Sequence, residues 1–247
     1  MSTELRTYHR SLFQWHCRNF FNFRRALTPL EKVYLEACFA LTESLYEVSD
    51  GGYAHFSYYT YSHRVKGDAA NSSRIAYGSV SSPEQALEAA WPVLKQRGLE
   101  LPEGLADGNA FYGLGWDVED ELFKVYFRSR DWRQLPRSLA DLVVGYDWNS
   151  HRPEALLSLT WEKNVLAERK VYLYPKESTA GPGVQGQARM ITDTRGEVLQ
   201  DDLAPDGTIP YDLNEIGQKI VAKYQEIGEP LDTIAYANRD DFTLYFP

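Results

Sequence analysis

Lys124, Tyr126 and Arg128 stand two residues apart in the run Leu122-Phe123-Lys124-Val125-Tyr126-Phe127-Arg128, and the chemistry returns at Lys170, Tyr172 and Tyr174. Ammonium and guanidinium groups beside phenols can hold something anionic at one end and something aromatic or apolar along the rings. Read at a period of two, Phe123, Val125 and Phe127 point one way and the polar trio the other, as on a strand with one apolar face. Val171 and Leu173 oppose Lys170, Tyr172 and Tyr174 in the same manner. At the C-terminus Phe242, Leu244 and Phe246 oppose Thr243 and Tyr245.

Each of these strands follows another extended run, so the chain reads as a repeated hairpin. The predicted pairs are Tyr53 to Arg64 with Arg74 to Val80, Phe111 to Asp117 with Leu122 to Arg128, and Leu156 to Glu162 with Glu168 to Tyr174. Gln187 to Asp193 pairs with Glu197 to Asp201, and Thr233 to Asn238 with the C-terminal strand. Helices fall between them. Residues 4–27 form an aromatic-rich helix, Thr28-Pro29-Leu30-Glu31 starts a second that runs to about Val48, and Ser82-Pro83-Glu84-Gln85 starts a third that ends at Gly98. A short helix covers Pro136 to Val143, and Asp212-Leu213-Asn214-Glu215 opens a last one to about Ile227. Pro175 to Gly186 is too rich in Gly and Pro for regular structure.

The helices must bury an apolar stripe, and the apolar strand faces are the surfaces available to them. The polar faces are then left to solvent or to the lumen of a closed barrel. Leu157, Leu159 and Trp161 opposing Ser158, Thr160 and Glu162 support this division, whereas Arg189 and Asp193 share a face with Ile191. The expected fold is α+β: a ten-stranded antiparallel barrel of five hairpins with helices packed outside. It forms one domain over residues 1–247, and residues 1–50 are a helical part packed on the barrel.

Five helix-separated hairpins with Lys-x-Tyr strands resemble the αββα-barrel (ABBA) aromatic prenyltransferases, over roughly residues 53–247. The resemblance implies a ten-stranded barrel around a reaction chamber. In it, strand-borne Lys and Arg hold an allylic diphosphate and tyrosines screen the allylic cation from water. The matching positions are Lys124, Tyr126, Arg128, Lys170, Tyr172, Tyr174, Arg189 and Tyr245. The function implied is prenyl transfer to an aromatic small molecule or peptide, as in secondary metabolism. Catalysis would be mainly electrostatic, by cations that stabilise the departing diphosphate in a dry cavity. No cofactor is required. No Asp-rich metal–diphosphate motif occurs, so Mg²⁺ is allowed but not implied. A base is not selected by spacing among Glu43, Glu47 and Glu162. Departures are the loop Pro175 to Gly186, where the family usually places a helix, and Arg189 without a neighbouring Tyr.

Other classes are set aside on composition. A net charge of −9 argues against a nucleic-acid partner, and 43% hydrophobic residues support a packed core. Cys17 and Cys38 read as buried free thiols, and His9, His16, His55, His63 and His151 lack zinc spacing. Gly181 to Gly186 spells GxGxxG, but a proline lies within it and a strand follows. With no membrane-length apolar run and no signal peptide, a soluble, cytoplasmic protein is expected. Two alternatives stay open: a non-catalytic barrel that binds an aromatic ligand or pigment, and an assembly protein whose tyrosine faces meet a partner. For any single strand the plain reading is a solvated face whose basic side chains block edge pairing. Oligomeric state is not legible.

Overall fold

The structure is a computed structural model. It describes residues 57–79, 98–105, 107–117, 120–177, 184–204 and 206–246, the helical positions 11, 12, 14–16 and 18–20, and the single residues 29 and 95. The expected helices of 28–48 and 82–98, Cys17, Cys38, His9, His55, Glu43 and Glu47 lie almost wholly or entirely outside the described residues.

Ten strands run antiparallel around a closed barrel. They are β1 (Ser57–Lys66), β2 (Ala69–Ser79), β3 (Asn109–Asp117), β4 (Leu122–Ser129), β5 (His151–Glu162), β6 (Val165–Pro175), β7 (Val184–Thr192), β8 (Gly196–Leu203), β9 (Thr233–Asn238) and β10 (Asp241–Phe246). Each pairs with its chain neighbours, and β1 pairs with β10, Tyr61 opposite Phe246 and Val65 opposite Phe242. Closure removes the edges that would otherwise template aggregation.

Period-two alternation then divides the side chains between two environments. Phe123, Val125 and Phe127 on β4, Leu157, Leu159 and Trp161 on β5, and Phe242, Leu244 and Phe246 on β10 are buried on the outer face. A helical segment covers the β10 part of this face. In Glu215–Gln225, Ile220, Val221 and Tyr224 turn inward, and the Tyr224 ring stacks on Phe246 with centroids 3.6 Å apart. Asn214 caps that helix by accepting from the Gly217 amide at 3.0 Å, and its Nδ2 donates to the Gly67 carbonyl at 2.8 Å. The helix start is thereby tied to the turn that joins β1 to β2. Gly217 itself allows the close approach, since a Cβ there would lie 2.6 Å from Phe242 Cζ.

The expected helix at Pro136 to Val143 is a single α turn, Arg137–Ala140, between 3-10 turns at Trp132–Gln134 and Asp141–Val143. Leu139 and Val143 anchor it on the barrel wall, and Arg169 Nη1 donates to the Ser138 carbonyl at 2.5 Å. Among the described residues no helix is long and apolar enough to cross a membrane.

Candidate functional site in the barrel lumen

The inner face carries the polar residues. Register places Lys124 opposite Gly115 and Thr160, Tyr126 opposite Gly113 and Ser158, and Lys170 opposite Ser158 and Thr192. From the remaining strands, β2 contributes Arg74, β1 Ser62 and β10 Tyr245. Arg74, Lys124, Tyr126, Lys170, Tyr172 and Tyr245 line one cavity, which leaves the centre of a water-sized sphere about 20 Å³. That room holds about one or two waters. Gly115 keeps the wall open: a Cβ there would sit 3.1 Å from the Tyr126 ring and 3.2 Å from Lys124 Cβ.

Cations and anions in this layer are unevenly matched. Lys170 Nζ lies 2.6 Å from Glu168 Oε2, and Glu168 Oε1 also accepts from the Thr192 and Thr194 hydroxyls at 2.9 and 2.6 Å. Burial raises the Glu168 carboxyl, but Lys170 and the hydroxyl donors outweigh it and bring it to about 2. Burial lowers Lys170, and Glu168 offsets this only in part, leaving it at about 8. Arg74 Nε is 3.4 Å from Asp117 Oδ2, while Arg74 Nη1 is buried without an acceptor among the described residues. Asp117 is shared with Asn71, whose Nδ2 donates to it at 2.9 Å.

Lys124 is the exception among these cations. It is 7% exposed, and among the described residues no hydrogen bond or ion pair reaches its Nζ. Burial holds its amine well below the usual lysine range, the Arg74 and Lys170 charges add to this, and Asp117 and Glu168 oppose it. Thr160 Oγ1, on the strand beside it, is buried without a partner among the described residues. Buried donors are nearly always satisfied, at a cost of about 1–3 kcal/mol each when they are not. The lumen therefore presents donors that await an acceptor. The phenols beside them stay protonated: burial first, then Tyr245, raises Tyr126, and burial first, then Tyr126, raises Tyr172.

Arg128 and Tyr174 stand further along the lumen. Arg128 is exposed, with its guanidinium 5.1 Å from the centre of the Tyr112 ring. Burial pushes Tyr174 up to about 12, with Tyr112 and Asp202 adding to it. The structure does not bring Arg189 to this site. It pairs in register with Leu173 and Leu199 on the outer face, and its Nη1 bonds Glu197 at 2.8 Å. Glu162 is exposed at the far end of β5. Arg74, Asp117, Glu168 and Thr160 belong to the site although the sequence reading did not single them out as binding residues. Glu168 was detectable, lying two residues before Lys170 on the same face.

A second polar cluster lies on the outer side. His16 Nδ1 is 2.6 Å from Tyr224 Oη, Tyr224 Oη is 3.0 Å from His63 Nε2, and His63 Nδ1 is 2.8 Å from Ser72 Oγ. Burial lowers both imidazoles, His16 to about 3 and His63 well below its ordinary value. Among the described residues no group of three or more His, Cys, Asp or Glu could hold a metal ion.

No protein-family model matches the chain, and no curated protein matches it.

Proposed function

We propose that the barrel binds an allylic diphosphate in its lumen and transfers the prenyl group to an aromatic acceptor. The observation that carries this reading is the convergence of Arg74, Lys124 and Lys170 with Tyr126, Tyr172 and Tyr245 around one buried cavity. The diphosphate would sit against Lys124, whose Nζ no hydrogen bond or ion pair reaches among the described residues, and Arg74, whose Nη1 is buried without an acceptor there. Lys170 is already paired with Glu168 and contributes through its charge. As the C–O bond breaks, negative charge grows on the leaving diphosphate next to these groups, where low dielectric strengthens each contact. The ring faces of Tyr126, Tyr172 and Tyr245 would stabilise the allylic cation by about 2 kcal/mol each when desolvated. Arg128, Tyr112 and Tyr174 line the path by which an acceptor would approach.

The test is calorimetry with dimethylallyl diphosphate, geranyl diphosphate and pyrophosphate, with and without Mg²⁺, followed by mass spectrometry of an aromatic acceptor screen. Micromolar binding that weakens about 10- to 100-fold in Lys124→Ala is expected, the size of a lost charged hydrogen bond. No binding of any diphosphate would overturn the reading.

One observation favours a second reading, a barrel that holds a small anion without turnover. The cavity has room for about one or two waters, so a prenyl chain must displace the ring side chains. Binding of pyrophosphate but of neither prenyl diphosphate would select it.

A further inference from the structure

Resting on the reading of the lumen as an anion site, we propose that this site takes up its anionic ligand together with one proton, which comes to rest on Lys124 Nζ. The inference starts from what surrounds that nitrogen. From β2 it faces Arg74, from β3 Asp117, from its own strand Tyr126, from β6 Glu168, Lys170 and Tyr172, and from β10 Tyr245; β5 offers the hydroxyls of Ser158 and Thr160. The two carboxylates are committed elsewhere, Glu168 to Lys170 at 2.6 Å and Asp117 to Asn71 at 2.9 Å with Arg74 beside it. The tyrosines are neutral phenols. Two cations thus flank Lys124, and among the described residues no anion contacts it.

An ammonium largely buried between two like charges without a contacting counter-ion is disfavoured against the free amine. Burial and the charges of Arg74 and Lys170 act in that direction. The free protein therefore favours Lys124 as the amine. A bound diphosphate reverses the balance, because its negative charge lies between Lys124 and Arg74 and supplies the missing acceptor. The proton comes from solvent, no covalent bond changes, and the site gains one positive charge only when there is an anion to meet it. A positive lumen left empty would attract any small anion. An amine that charges on binding keeps the empty site close to neutral and ties occupancy to pH.

The sign follows from linkage. Between the titration midpoints of the free and the occupied protein, binding consumes a proton, so affinity falls as pH rises, by up to about tenfold per pH unit. Below the free midpoint Lys124 is already charged, and this dependence vanishes.

The experiment is calorimetry of pyrophosphate and geranyl diphosphate binding to the full chain at one pH near neutral, in two buffers of different ionisation enthalpy. Wild type and Lys124→Met are compared, so that protons gained or lost by the diphosphate itself cancel. The expected result is about one more proton taken up per ligand by wild type. Should Lys124→Met bind too weakly to measure, lysine-labelled protein followed by NMR gives the same information. One lysine side-chain resonance, missing in Lys124→Met, titrates below the others, and pyrophosphate moves its midpoint upward. Binding without the extra proton, or a Lys124 resonance that titrates with the surface lysines, overturns the proposal and leaves the diphosphate reading standing. Absence of binding in both buffers overturns both.

Discussion

At the scale of the residue, the lumen depends on glycine as much as on its cations. Gly115 faces Lys124 across the β3–β4 pair, and any side chain there meets the Tyr126 ring at 3.1 Å and its hydroxyl at 3.3 Å. Gly115→Val would push the ring and the lysine stem into the small cavity. The expected outcome is a folded barrel destabilised by about 1–3 kcal/mol, the usual cost of overpacking, with diphosphate affinity at least about tenfold weaker. Urea denaturation and calorimetry on the same sample check both halves, and undiminished affinity would count against the lumen as the site. Much of this site was legible in the sequence. Lys124, Tyr126, Lys170, Tyr172 and Tyr245 alternate with bulky apolar residues, so period two assigns their face without a structure. Arg74 was not legible, because Ser72, Ser73, Ala76 and Gly78 around it give no apolar contrast. Arg189 misled for a related reason. Its strand opens with a register shift between Val184 and Gly186, and its inner face carries Ala188 and Met190, whose apolar character imitates an outer face.

At the scale of the element, the strands themselves were easier to read than their ends. β9 falls where the sequence placed it, because alternation and flanking turn residues agree. β5 begins at His151 rather than Leu156, and Pro153 explains the difference: it lies in the irregular pairing between His151 and Ala155, where a missing amide donor breaks no ladder. β2 begins at Ala69 rather than Arg74, because Gly67 at φ 60° and Asp68 complete the turn alone. The helix Glu215–Gln225 shows how tightly an outer element is fitted. In an exposed helix Gly→Ala gains about 1 kcal/mol, yet at Gly217 the new methyl would fall 2.6 and 2.8 Å from the Phe242 ring. That ring is fully buried. Overpacking of about 3 kcal/mol exceeds the propensity gain, so Gly217→Ala is expected to lose about 2 kcal/mol, read as a lower urea midpoint at unchanged m-value. A stabilised variant would mean that the helix does not seat on β10 as described.

At the scale of the whole molecule, the seam between β1 and β10 joins sequence-distant parts of the barrel, and the His16–Tyr224–His63 chain covers it. One Tyr hydroxyl can donate once, so the pattern is satisfied when His16 Nδ1 accepts from Tyr224 while His63 Nε2 donates to it and His63 Nδ1 accepts from Ser72. Both imidazoles are then neutral. Protonating His16 turns its Nδ1 into a donor and leaves two donors facing one hydroxyl, in a place where burial already penalises charge. The folded-state values are lowered, so the stabilising effect is complete above the unfolded histidine value of about 6.5 and is lost as pH falls below it, down towards about 3 for His16. Where both groups are charged only in the unfolded chain, two protons separate the states and stability declines by up to about 2.7 kcal/mol per pH unit. Urea denaturation from neutral pH down to about pH 5 should show this slope in wild type. His16→Gln/His63→Gln is expected to be less stable at neutral pH and nearly flat over the same interval. Equal slopes in the two proteins would place the acid sensitivity elsewhere, because no other described imidazole shares this network: His151 bonds the Asp147 carbonyl at 2.9 Å, away from the seam. The linkage also separates the two proton-coupled sites. The histidines are expected to act below neutral pH on stability and the proton proposed for Lys124 on ligand affinity as pH rises, so one pair of pH series distinguishes the seam from the lumen.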